Sequence, residues 1–444
     1  MEKTLIKNGN VILFEKLDMS DPRYTLRGSN LQTIVKKSDV LIEGTKIIKI
    51  EKNIIDEDAT LIDANNKVVM PGLINMHVHV PMSIFRELVD GFTLDDWLKK
   101  EIWPREDKLT PNDVYYTSML SLIEACKTGT TLLNDHYFFT ESIIKATHDI
   151  PLRYVASRCL MGENTKDNTR IDELLEVYNK KDEDIDTNIY NVLALHGLYT
   201  TNADYLKLVS KLCHEYNFSL HTHFCENSKE VQDIKKIYNV KEPYEVLEKY
   251  FDDINLILAH CVKLSDKDFD FLRNVKANIV HNPISNLKLG CGFADIKKAL
   301  KNNINVCLGT DGQGSGSNLD MFEAMNVAAL IQKGYKEDPT VLDASTAIQM
   351  ATINGAKALK MDDKIGSIEV GKLADIIIVD LSDITLNPVN NLLSDIVYNA
   401  KGRDVTHTIV NGKILMKDKK LNLDVNENEI IYKCNEILKK ISEK

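Results

Sequence analysis

The sequence predicts an α/β protein: a (β/α)8 barrel over residues 71–359, with a small β-sandwich assembled from residues 1–70 and 360–444. Three observations predict it. From about Val68 to Ala358, short apolar runs alternate with helical stretches of roughly 12–20 residues, the grammar of a parallel sheet. Each run ends in a His, Asp or Asn at or just past its C-terminal edge, and the strand ends of a barrel all converge on one mouth. A doubly wound sheet would not gather so many polar side chains at so many strand ends. Finally, the two ends of the chain share a β-rich texture that the middle lacks.

The N-terminal part reads as short strands, Thr4–Leu13, Ser38–Ile42 and Lys46–Ile50, separated by Asn-Gly and Glu-Gly turn signals. The tail repeats this pattern in Ala374–Asp380 and Val405–Lys413, so both ends are expected to share one sandwich. Between them lie the runs Thr131–Asn134, Val192–Leu195, Phe218–Leu220, Asn255–Ala259, Ala277–Val280 and Val306–Gly309, the expected barrel strands. Tyr154–Arg158 is a further strand candidate.

Composition narrows the function classes. The chain has 444 residues, 43% hydrophobic and 27% charged, which excludes disorder. Its net charge of −11 comes without a basic block, so neither nucleic acid nor an anionic membrane is an expected partner. No apolar run approaches the ~18–20 residues of a membrane span, and the N-terminus carries no secretory pattern. Eight cysteines without a CxxC pair read as reduced core or near-site residues, which places the chain in the cytosol. A small-molecule substrate is expected, with a homo-oligomer left open.

The chemistry concentrates at strand ends. In Pro71-Gly72-Leu73-Ile74-Asn75-Met76-His77-Val78-His79, two histidines two apart on a strand point to one face and can reach one metal. His221-Thr222-His223-Phe224-Cys225-Glu226 adds a carboxylate three residues past a histidine. His260 ends Leu256–His260, His281 opens His281-Asn282-Pro283-Ile284-Ser285-Asn286-Leu287-Lys288-Leu289-Gly290, and Asp311 lies in Gly309-Thr310-Asp311-Gly312. Three neutral imidazoles and one carboxylate suit Zn2+ or Fe2+ and leave a position for water.

Taken in order, these stretches resemble the amidohydrolase superfamily over nearly the whole chain, and most closely its 5′-methylthioadenosine/S-adenosylhomocysteine deaminase branch. The resemblance implies a TIM barrel and one divalent ion per chain, zinc before iron. The implied ligands are His77, His79, His223 and Asp311. Two-metal members carry a modified lysine at the end of the fourth strand; here Asn191–His196 ends in a histidine instead, which favours a single ion. The implied activity is hydrolytic deamination of adenosine-type nucleosides with release of ammonia. The ion would lower the pKa of its water toward ~7. His260 and Asp311 would orient that water, and Glu226 would carry a proton to a ring nitrogen and then to the departing ammonia.

The same resemblance assigns substrate contacts. Trp97–Glu106 is similar to a stretch whose glutamate accepts from ribose hydroxyls, so Glu106 inherits that role; a carboxylate can take both donors of a cis-diol. Arg158 and Arg170, 12 positions apart, look like the pair that binds the amino-acid carboxylate of S-adenosylhomocysteine. Asp167, Asn168 and Thr169 are candidates to cap the helix that carries Arg170. His196 matches a histidine that contacts the purine, and Glu226 and Asp311 would also touch substrate.

Two departures stand out: His196-Gly197-Leu198-Tyr199 lacks a proline usual in the branch, and Gly312–Asn318 is glycine-rich, which predicts a looser loop beside Asp311. His221 is expected in a lower barrel layer, and His281 either fixes its loop or serves the site. His136, His148, His214 and His407 match no motif and are left to surface or core. Two other functions compete: hydrolysis of a guanine- or triazine-type heterocycle on the same scaffold, and a non-catalytic scaffold. Glu106 and the two arginines count against the first, and the intact ligand set counts against the second.

Overall fold

A computed structural model describes residues 2–17, 30–166 and 168–442. The two chain ends build one sheet of nine strands. Five come from the N-terminal part (Lys3–Lys16, Leu31–Glu43, Lys46–Glu51, Thr60–Asp63, Lys67–Pro71) and four from the tail (Ile376–Asp380, Val405–Val410, Lys413–Lys417, Lys420–Leu421). Their seam is the antiparallel pairing of Lys67–Pro71 with Ile376–Asp380, in which Pro71 faces Ile376 and Lys67 faces Asp380.

The two turn signals have different outcomes. Glu43-Gly44 is a true hairpin turn, with Gly44 at φ 57° between Leu31–Glu43 and Lys46–Glu51. Asn8-Gly9 instead forms a bulge inside one 14-residue strand: Asn8 takes φ 62°, the register shifts between Ile6 and Gly9, and the strand continues. The bulge is held from outside, because the Asn8 N–H donates to Asp39 Oδ1 at 2.7 Å.

The middle of the chain forms two parallel sheets. One orders Leu73–Val78, Thr130–Asp135, Arg153–Val155 and Asn188–Ile189; the other orders Val192–Gly197, Ser219–Phe224, Leu256–His260, Asn278–His281 and Asn305–Leu308. Nearly every residue of these strands is buried, as expected for parallel strands covered on both faces. A bridge between Leu160 and Leu195 links the sheets on one side. On the other, the Asp311 N–H donates to His77 O at 2.9 Å. The strand expected over Tyr154–Arg158 stops at Val155, and Arg158 keeps only an isolated bridge to Tyr137.

Helices follow these strands and start on polar caps. Asn202 caps Ala203–Tyr216, Asn227 caps Ser228–Tyr238, and Ser265 caps Asp266–Asn274 with a reciprocal capping box. Asn227 directly follows Glu226, so this cap fixes the end of the loop carrying that carboxylate. Parallel strands and the nine-stranded sheet are pinned together by Arg153. Fully buried on its strand, it donates to Asp375 Oδ1 at 3.0 Å and to Asn411 Oδ1 at 3.1 Å. Breaking such a pair leaves an uncompensated buried charge, typically at a cost of ~3–5 kcal/mol. No helix among the described residues is long and apolar enough to cross a membrane.

Candidate metal centre and substrate cavity

The strand ends bring the expected metal ligands to one point. The ring centroids of His77, His79 and His223 lie 4.8–5.5 Å apart. Asp311 Oδ1 is 3.0 Å from His79 Nε2 and 3.6 Å from His77 Nε2. Each histidine is held through its other nitrogen. His77 Nδ1 lies 3.0 Å from His221 Nε2, His79 Nδ1 lies 2.7 Å from the carbonyl of His136, and His223 Nδ1 meets the carbonyl of His196. With Nδ1 engaged, Nε2 is left to bind, the arrangement usual for metal-ligating imidazoles. His77 Nε2 is buried with no hydrogen-bond partner among the described residues, an orphan that an ion would satisfy. Burial and the neighbouring histidines push His77 and His223 well below the usual imidazole range, whereas Asp311, against burial, pushes His79 up to about 9, so an ion bound here would displace the His79 proton. A divalent ion therefore fits this donor set.

The carboxylates are equally well supported. Asp311 Oδ2 accepts from Ser285 at 2.6 Å and from Ser315 at 2.9 Å, while Oδ1 accepts from the Gly312 N–H at 2.7 Å. Glu226 lies 5% exposed with Oε1 3.7 Å from His260 Nδ1. Burial pushes its carboxyl above the usual range, and His260 works against that shift. His260 in turn lies 2.8 Å from Asn286 Oδ1. Glu230 underpins the Glu226 loop by accepting from the Cys225 and Glu226 N–H groups at 2.8 and 2.7 Å. Four non-glycine residues here, Cys225, His260, Cys261 and Asp311, adopt φ between 51° and 75°. Strained backbone of this kind gathers where side chains must be aimed.

Above this floor opens a cavity of about 540 Å³, and every expected substrate contact lines it: Glu106, Arg158, Arg170, His196, Glu226 and Asp311. Glu106 follows a π-helical segment, Trp97–Ile102, that turns the chain along the wall. It is half-buried by surface yet deep in the cavity, and desolvation pushes its pKa up to about 7 against the pull of Tyr137 and His79. Arg158 pairs with Glu173 and donates to Cys159 O at 2.8 Å; Arg170 donates to Met161 O at 2.8 Å. Asn168 caps the Arg170 helix, whereas Asp167 lies outside the described residues. His196 has Nδ1 3.3 Å from Thr200 Oγ1, and burial lowers its pKa to about 4. Trp97, Leu98, Trp103, Phe138 and Phe139 add apolar surface to the cavity lining.

Two expectations need correction. His136, left to surface or core, belongs to this site: it lines the cavity, stacks on His223 at 4.5 Å and 14°, and its carbonyl holds His79. Both its ring nitrogens are buried with no hydrogen-bond partner among the described residues, and it groups with His77 and His223, ligand atoms within 4.8 Å of one another, as a further candidate donor to an ion. Nor is the glycine-rich run loose. A Cβ at Gly312 would stand 2.7 Å from Met82 Sδ, one at Gly314 2.9 Å from the Trp97 ring, and one at Gly316 2.2 Å from Thr310 O. These glycines allow close packing. His148 and His214 do lie at the surface, paired with Asp184 and Asp253, and His407 is buried in the nine-stranded sheet. His221 supports His77 from below. The His281 ring has no hydrogen-bond partner among the described residues, and its backbone carbonyl accepts from the Gly309 N–H.

Imidazoles and a carboxylate converging beneath a cavity at parallel-strand ends are the parts of a metal-dependent hydrolase, and the chain belongs to the amidohydrolase family, whose profile matches residues 68–415. It is 39% identical over 404 residues to a 5-methylthioadenosine/S-adenosylhomocysteine deaminase of Thermoanaerobacter pseudethanolicus, covering 90% of this chain and 94% of that one. It is 39% identical over 414 residues to a 5'-deoxyadenosine deaminase of Methanocaldococcus jannaschii, covering 90% and 96%. Among solved structures, a zinc-bound adenosine deaminase of Xanthomonas campestris superposes with a TM-score of 0.90 at 28% identity, covering 99% of this chain and 98% of that one.

Proposed function

We propose that the protein deaminates adenosine-type nucleosides, 5′-methylthioadenosine and S-adenosylhomocysteine foremost, to their inosine analogues with release of ammonia. The observation that carries this reading is one cavity holding both sets of groups: a His/Asp metal cluster with Glu226 at the floor, and Glu106, His196 and two arginines on the wall. His77, His79, His223 and Asp311 would hold one divalent ion, zinc as first candidate and iron as the alternative. When bound, the ion supplies a nucleophilic water near neutral pH.

The residues of the chain do the rest. Glu226, whose burial favours the protonated form, gives its proton to the purine nitrogen beside the carbon that bears the amino group, which makes that carbon electrophilic. His260, fixed by Asn286, lines the same cavity floor and with Asp311 would orient the water. His196 meets the purine edge and Glu106 accepts from the ribose diol. The apolar part of the lining takes the 5′ substituent. Arg158 Nη2 and Arg170 Nε and Nη2 make no protein hydrogen bond among the described residues, which leaves donors for a carboxylate at the cavity mouth.

The architecture supporting this reading is a closed (β/α)8 barrel over residues 71–359 with a composite domain from 1–70 and 360–444; the seams at Leu160–Leu195 and His77–Asp311 favour closure. Eight free, buried cysteines favour a cytosolic setting. The test is ammonia release by zinc-loaded protein from methylthioadenosine, S-adenosylhomocysteine, 5′-deoxyadenosine and adenosine, with guanine and a triazine beside them. Turnover of the bare heterocycles in preference to every nucleoside would overturn the assignment.

A further inference from the structure

One short segment reaches three of the groups at the cavity floor. After strand Asn278–His281, the helix Pro283–Lys288 presents Ser285 to Asp311 at 2.6 Å and Asn286 to His260 at 2.8 Å. The chain then folds back: the Leu289 N–H donates to Ser285 O and the Cys291 N–H to Asn286 O, both at 2.9 Å. Gly290 at φ 65° and Gly292 at φ 111° allow that reversal. The result sets Cys291 Sγ 3.6 Å from Glu226 Oε1, with Cys291 only 3% exposed.

We propose that Cys291 is a positioning residue for Glu226: its thiol donates to Oε1 and turns Oε2 toward the substrate. This rests on Glu226 being the proton carrier of the proposed reaction. Sulfur suits the distance, since a C–S bond is longer than a C–O bond and a thiol donates across a wider gap than a hydroxyl. Competing donors are occupied. His260 Nδ1 is 3.7 Å from the same oxygen but 2.8 Å from Asn286. Glu230 holds only the backbone of the loop. Oε2 has no protein hydrogen bond among the described residues. Burial, followed by the charge of Glu226, keeps Cys291 in its thiol form, a donor and not a nucleophile. Leu289, two residues earlier, lines the cavity wall, so Cys291 acts through Glu226 and not on substrate.

The other titratable groups facing Glu226 are His260, His79, Asp311, Glu230 and Tyr199. Cys291→Ala leaves all of them in place. A donor to the carboxylate favours its charged form, so deleting that donor raises the pH at which Glu226 ionises. For zinc-loaded Cys291→Ala, the alkaline limb of kcat/KM should move up by roughly half to one pH unit, about a three- to tenfold gain on its high-pH side. KM should stay within about twofold on the plateau, and Cys291→Ser, which keeps a donor, should return the limb toward wild type. An unmoved limb in Cys291→Ala overturns the proposal, as does an equal shift in both variants. Infrared titration of the Glu226 carboxyl band, assigned by its loss in Glu226→Gln, reads the contact without turnover. A band that shifts in Cys291→Ala while no nucleoside is deaminated would sink the nucleoside reading and keep the contact.

Discussion

The floor and the mouth of the cavity are built differently. At the floor, His77, His223, Glu226, His260 and Asp311 sit on strand ends, are less than 10% exposed, and nearly all have a second partner that fixes their orientation. At the mouth, Glu106, Arg158 and Arg170 come from helices and loops and His196 from the end of strand Val192–Gly197; all four are half-buried, and the arginines are partly engaged with groups of their own segment. Rigid strand ends suit chemistry that tolerates little misplacement. Loop-borne side chains can be exchanged without disturbing the parallel sheets, so they suit the choice of substrate. Damage to the floor should therefore cost every substrate alike, whereas damage to the mouth should sort them.

The largest effect is expected at the ligands. His79→Ala should lose the ion, read by elemental analysis at about one per chain in the parent, together with activity on every nucleoside. Two ions per chain in the parent would break the single-metal reading. Next comes Glu226→Gln, which should keep the ion yet lower kcat by ~10²–10⁴-fold for all substrates. A variant within a few-fold of wild type would remove Glu226 from proton transfer.

The mouth should behave otherwise. Arg158→Met or Arg170→Met should lower kcat/KM for S-adenosylhomocysteine by roughly 10- to 100-fold, the worth of one charge-assisted hydrogen bond at ~1.5–3 kcal/mol. Methylthioadenosine and adenosine, which carry no carboxylate, should change little. Equal losses for all three would make the arginines part of the scaffold and erase the contrast with the floor. The smallest effect concerns pH. Glu106 accepts from a diol only as the carboxylate, and its pKa lies at about 7. KM for ribonucleosides should therefore rise as pH falls from 8 to 6, by up to about tenfold, while a 2′,3′-dideoxy analogue stays flat. A matching rise for the dideoxy compound would place the titration elsewhere.

What was legible in the sequence follows the same division. The floor could be read because strand-end histidines and carboxylates sit in runs whose period and chemistry are local: His77 and His79 share a face by alternation, and Glu226 follows His223 by three residues. The strands of the parallel sheets fall within a few residues of their expected runs for the same reason. His136 was missed because what brings it to the site is the pairing of Thr130–Asp135 beside Leu73–Val78, which no single run records. Glycines 312, 314 and 316 were misread because glycine serves both mobility and close packing, and only the neighbouring Met82, Trp97 and Thr310 decide which. Asn8-Gly9 was ambiguous in the same way, since hairpin turns and bulges draw on the same residues.

The pairing of Lys67–Pro71 with Ile376–Asp380 sets a schedule for the newborn chain. The first of these strands leaves the ribosome roughly 300 residues before its partner, a delay of about 15–60 s at ordinary rates of synthesis. Through that interval one side of a strand that is buried and apolar after Lys67 has nothing to pair with, the condition under which nascent chains associate with one another. The strands of the parallel sheets emerge in between and meet their sheet neighbours in order, save that Leu73–Val78 waits for Asp311. A slow step in making this protein should therefore lie in the final closure of the terminal sheet, and slower translation of the middle of the gene should lower the yield of soluble protein by prolonging the wait.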